Sequence, residues 1–192
     1  MKPTLAFAAV LLFAGTLIAQ EPPSPPAPGS AATAPSPEGP PRCRAIGVYR
    51  IFDFLLGNWN VTIDGKPAGT NRFAQAAWGC AILETRIDGT MRSQGFYYFH
   101  PESKRWKQVW VSEQALAPNG VMELQLVDLL EDGSIVMEGT GIIAERRVYE
   151  RSTLEPMGDG RVRQVIETSG DRRTWRRVLE SIYEKQPPKK KP

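Results

Sequence analysis

Glu84 and Glu113 are the residues of this 192-residue chain best placed by strand position for acid and base chemistry. Two carboxylates do such work when they lie within a few ångströms of each other and one is held protonated while the other stays ionised. The competing reading is that Glu84 simply pairs with an arginine. Arg86, Gln108 and Arg163 are the further polar groups expected beside Glu84. An inward arginine selects a carboxylate or phosphate by bidentate hydrogen bonding, whereas on an exterior the same charges meet only solvent. Of the aromatic set Trp78, Tyr98, Trp106 and Trp110, half is expected in the core and half as rigid pocket walls, with Tyr98, Trp106 and Trp110 assigned to the ligand. The sole histidine, His100, stands beside Pro101, and an imidazole at such a loop tip points to solvent. It gives no basis for a Ser-His-Asp or Cys-His nucleophile or for a histidine metal cluster, and no catalytic residue or metal ligand is assigned. Two cysteines with one distant histidine are too few for structural zinc. No phosphate-cradling glycine loop and no aromatic-interleaved basic stripe for nucleic acid is present.

The elements that must position these residues are short strands. Breakers recur at Asp64-Gly65, Gly79, Asp88-Gly89, His100-Pro101, Asn119-Gly120, Asp132-Gly133, Pro156 to Gly160 and Ser169-Gly170. The runs between them are rich in Val, Ile, Thr, Tyr, Phe and Trp and predict about ten strands: 58–63, 69–77, 80–87, 91–99, 105–112, 121–128, 134–141, 147–154, 161–168 and 174–183. The one helix-like stretch is a single turn over Ile51 to Leu56, where Asp53 is placed to accept backbone hydrogen bonds. Neither face of these strands is cleanly apolar: Trp106, Gln108, Trp110 and Ser112 share one face, and Ile82, Glu84 and Arg86 share another. That mixing suits a barrel with a partly wet interior better than a dry sandwich. The expected fold is all-β, a single antiparallel up-and-down barrel.

Upstream, Met1-Lys2 and the uncharged run Leu5 to Ala19 read as a signal peptide, 1–19. A Pro/Ala-rich linker follows over 20–44, too poor in apolar residues to offset its ordering entropy. The barrel is expected over 45–185 and a basic tail over 186–192. Of the 24 Lys and Arg against 21 Asp and Glu, Lys2 leaves with the leader and the tail Lys189-Lys190-Lys191 accounts for the remaining excess. A charge run of this kind is a solvated chain end, so neither nucleic acid nor stable membrane insertion is expected. Export to the periplasm or beyond makes a Cys43–Cys80 disulfide feasible, with two unpaired thiols as the alternative.

Four stretches in order carry a resemblance. They are Phe52-Asp53-Phe54-Leu55-Leu56-Gly57-Asn58-Trp59; Gly65 to Asn71 leading to Gly79-Cys80-Ala81-Ile82-Leu83-Glu84; His100 to Trp106 with Gln108, Trp110 and Val111; and Asp159 to Gln164 running to Trp175 and Ile182-Tyr183. With them the chain resembles the bacterial lipocalin-like domains of unknown function, within the calycin group of ligand-holding barrels. The resemblance implies a ten-stranded barrel with a cavity, not an activity. It also implies a packing role for Gly57 and Trp59, the indole covered by Arg176 or Arg177 of the last strand. Some related barrels hold haem through a histidine. His100 does not fit that pattern, and no cofactor is expected.

The leading expectation is an exported protein that binds a small, partly apolar and in one version anionic molecule inside the barrel. One alternative is a hydrolase or isomerase using Glu84. Another is a closed barrel that works through its surface.

Overall fold

The computed structural model describes residues 42–187 apart from 90, 115–119 and 144–145. The signal, most of the linker and the lysine tail therefore lie outside the described residues. Ten strands run β1 (Gly57–Ile63), β2 (Lys66–Ala76), β3 (Ala81–Asp88), β4 (Met91–His100), β5 (Arg105–Ser112), β6 (Val121–Leu129), β7 (Ile135–Ile143), β8 (Arg146–Pro156), β9 (Val162–Ser169) and β10 (Arg176–Lys185). Each pairs antiparallel with its sequence neighbours, and β10 returns to β1, so the sheet closes into an up-and-down barrel. Closure leaves no edge strand. The architecture is compatible with a calycin-like fold.

Three 3₁₀ turns, Arg42–Ala45, Gly47–Arg50 and Asp53–Leu55, precede β1 and plug one end. Their backbone is pinned by two indoles: Trp59 Nε1 donates to the Leu55 carbonyl at 2.7 Å and Trp106 Nε1 to that of Val48 at 2.8 Å. Phe52 sits edge-on between Tyr97 and Trp106, at 5.4 and 5.0 Å between ring centroids. The Cys43–Cys80 disulfide then ties the first turn to the start of β3. Asp53 does not cap its own turn. Its carboxylate is held by both guanidinium nitrogens of Arg44, at 2.7 and 2.8 Å, and by Arg50 at 3.1 Å. Burial works against its ionisation, but those arginines outweigh it and leave the carboxyl below its usual range.

Gly57 enters β1 at φ +134°, a region side chains avoid, and an added Cβ would lie 3.3 Å from Lys185 Cε. That lysine is the cation over Trp59, its Nζ 5.2 Å from the ring. This corrects the expected cover. Arg176 and Arg177 begin β10 at the opposite end of the barrel, while Trp59 pairs directly with Lys185.

Side chains directly opposite one another across a ladder point to the same side of the sheet. From Ile82 the inward row passes through Tyr97, Gln108, Leu124, Gly139, Glu150 and Thr168 to Arg176, climbing from the plugged end to the far end as the strand tilt requires. The apolar core fills the plugged end and comprises Phe52, Leu55, Trp59, Phe73, Tyr97, Trp106, Ile135, Met137, Leu154, Val162 and Tyr183, with smaller neighbours.

Candidate functional site in the barrel interior

Above that core a belt of polar side chains crosses the interior. Glu84 Oε1 accepts from Asn71 Nδ2 at 2.7 Å, and its Oε2 accepts from the Tyr97 hydroxyl at 2.9 Å. The Tyr97 hydroxyl in turn accepts from Gln108 Nε2 at 2.7 Å. On the other wall the Tyr183 hydroxyl donates to Gln164 Oε1, and Gln164 Nε2 donates to Ser152 Oγ at 3.0 Å. Glu84 has space for its carboxyl because its cross-strand partner is Gly95, where a Cβ would fall 2.6 Å from Oε2. Burial pushes the Glu84 carboxyl above its usual range, against the opposing pull of the Asn71 and Tyr97 hydrogen bonds and the charge of Arg86. Burial, reinforced by the carboxylate of Glu84, pushes the Tyr97 phenol up as well.

Beyond the belt, towards the far end, inward positions change character. Arg86, Trp110, Met122, Ile166 and Thr168 are half-buried, whereas inward residues at the plugged end are sealed. At the rim of that end, an open recess of about 390 Å³ is lined by Val148, Thr168, Ser169, Gly170, Asp171, Thr174 and Arg176, with Thr168 the one residue it shares with those half-buried positions. Four buried inward atoms, Asn71 Oδ1, Ser93 Oγ, Ser181 Oγ and Glu150 Oε2, have no hydrogen-bond partner among the described residues. Buried polar atoms are rarely left unpaired by protein, water or ligand, so these four mark where the interior can accept one.

Of the residues expected at the site from sequence, Glu84, Arg86, Trp106, Gln108 and Trp110 face inward. They do not form one cluster. Trp106 is fully buried in the apolar plug, Glu84 and Gln108 belong to the belt, and Arg86 and Trp110 lie beyond it. Arg86 is taken by Asp88, with Nη2 3.2 Å from its carboxylate, and Glu84 forms no salt bridge with any described residue. Tyr98 and Arg163 face outward. Tyr98 shares its face with Ala81 and Lys107 and stacks on exposed Phe96 at 6.1 Å. Arg163 bridges Glu155 at 3.0 Å and Glu180 at 2.9 Å. Neither reaches the interior because Tyr97 and Gln164, one position away, take the inward places. Glu113 is exposed beyond the end of β5 and cannot pair with buried Glu84. Trp78 is 65 % exposed beside the disulfide. His100 accepts the Ser103 N–H on Nδ1 at 3.2 Å and so closes its own turn.

Asn71, Tyr97, Glu150, Ser152, Gln164 and Tyr183 went unassigned in sequence. The signal for Tyr97 and Gln164 was the alternation itself, once Glu84 and Gln108 are set inward. Among the described residues no group of three or more His, Cys, Asp or Glu is placed to hold a metal, and no helix is long and apolar enough to cross a membrane. No family model matches the chain, and no curated protein matches it.

Proposed function

We propose that the chain is an exported barrel that binds a small, partly apolar molecule between the polar belt and the far end, as its resemblance to the calycin group of ligand-holding barrels suggests. The observation that carries this reading is the contrast between the two ends. The plugged end is dry and sealed by turns, indoles and a disulfide. The far end presents half-buried apolar walls, Trp110, Met122 and Ile166, together with Ser93 Oγ and Glu150 Oε2, which have no hydrogen-bond partner among the described residues. A few oriented polar groups on apolar walls are what small-molecule sites use. The Cys43–Cys80 bridge supports an oxidising compartment, consistent with the leader read in the sequence.

Catalysis through Glu84 is the weaker reading. Both its oxygens already accept hydrogen bonds, and a working acid or base must reach its substrate. The test is native mass spectrometry of the protein purified from the cell envelope of its own host, followed by denaturation and identification of what is released. A reproducible small-molecule adduct supports binding. An empty protein that leaves a broad metabolite and lipid pool untouched refutes it and turns attention to the exterior, and conversion of one metabolite favours an enzyme.

A further inference from the structure

Glu150 is the one inward carboxyl among the described residues that nothing holds. Glu84 is bound by an amide and a phenol, and Asp88 by Arg86. Glu150 is only 6 % exposed, forms no salt bridge with any described residue, and its Oε2 lacks any hydrogen-bond partner among them. The fold makes room for it. Its cross-strand partner is Gly139, and a Cβ on Gly141 would come within 2.5 Å of Glu150 Oε1, so the carboxyl lies where a side chain at 141 would otherwise stand. Glu150 is not itself part of the lining of the far-end recess but adjoins it through its neighbours. Thr168 sits directly opposite Glu150 across the ladder, Val148 is on the same face two positions away, and both line that recess. An isolated buried carboxylate is costly, and a cation or a strong hydrogen-bond donor relieves it.

Resting on the binding reading above, we infer that the preferred ligand carries a protonated amine, held by the Glu150 carboxylate, with its apolar part in the recess between Val148 and Thr168. Arg86, the inward arginine expected to select an anion, is already neutralised by Asp88. Arg176 also lines the recess but stands exposed at its rim, where water screens its charge.

The test uses three probes of one shape, benzylamine, benzyl alcohol and benzoate, titrated into the full mature protein. Binding is followed by NMR at the Val148 and Thr168 methyl signals, which line the recess, in wild type and Glu150→Gln. The expected result is benzylamine at least ten-fold tighter than benzoate, with that preference lost in Glu150→Gln while benzyl alcohol binds both proteins alike. The wild-type ranking decides the question even if the variant fails to fold. Benzoate or benzyl alcohol binding as tightly as benzylamine overturns the amine preference and leaves the binding reading standing. No shift from any probe overturns both.

Discussion

Replacing Gly95 by alanine tests whether the interior belt is built around the Glu84 carboxyl. In an ordinary strand interior the change stabilises by about 0.5–1 kcal/mol, since glycine loses more chain entropy on folding. Here the new Cβ falls 2.6 Å from Glu84 Oε2 and 3.2 Å from Glu84 Cβ. The carboxyl must swing aside, and Oε2 is the atom that accepts the Tyr97 hydroxyl. Losing that bond with both partners still buried costs about 1–3 kcal/mol, so the sign of the substitution reverses. In a Glu84→Ala background the carboxyl is gone and only the 3.2 Å approach to the residue 84 Cβ remains, so Gly95→Ala returns close to neutral. The coupling energy between the two sites is therefore about 1–3 kcal/mol. The assay is urea unfolding of the four proteins of the cycle, monitored by tryptophan fluorescence at one pH with the disulfide intact. The reasoning is refuted if Gly95→Ala has the same effect in both backgrounds, within about 0.5 kcal/mol.

Removing the disulfide as Cys43→Ser with Cys80→Ser frees a loop whose ends are 37 positions apart. It should lower stability by about 4 kcal/mol on the chain-entropy account; an unchanged urea midpoint would show that Asp53, Trp59 and Trp106 hold the plug unaided. Glu84→Gln bears on pH. With the folded carboxyl raised above its usual 4.5, the native state binds more protons than the unfolded one, and stability falls as pH rises from there towards the folded value. The glutamine variant should gain on wild type over that interval, by at most about 1.4 kcal/mol per pH unit, and a constant difference in urea midpoints would rule this out. Gly139→Ala sets a Cβ 1.9 Å from the Glu123 carbonyl oxygen, an obstacle that cannot rotate away. We expect a loss of about 2–3 kcal/mol, and thermal unfolding within a degree of wild type would contradict it.

The strands were legible in the sequence because their boundaries are set by local chemistry. Gly, Asp, Asn and Pro interrupt β-branched and aromatic runs, and all ten predicted strands overlap the ten observed. The inward faces of β3 and β5 were legible too, since Glu84 with Arg86 and Trp106 with Gln108 fall on shared alternations. What failed was parity where two similar residues adjoin. Tyr97-Tyr98 offers two phenols on opposite faces, and only the register with β3 decides that Tyr97 enters. The cover over Trp59 failed for a topological reason. In a barrel of alternating strands the first and last run antiparallel, so the start of β1 meets the end of β10, which is Lys185. Glu150 was hidden because the space it occupies is made by glycines on another strand, a relation that appears only once β7 and β8 are paired.

The junction of β1 with β10 orders the events of assembly. Nine of the ten ladders join strands adjacent in sequence and can zip locally as the chain is made. The tenth, from Trp59–Lys185 to Ile63–Ser181, joins segments about 120 residues apart and must wait for the last strand. Until β10 arrives, the growing sheet carries two unsatisfied margins, β1 and β9, each able to recruit a strand from another molecule. A chain that stops short of Arg176 would keep both margins open to such pairing. Pairing of β10 with β1 is what removes both margins.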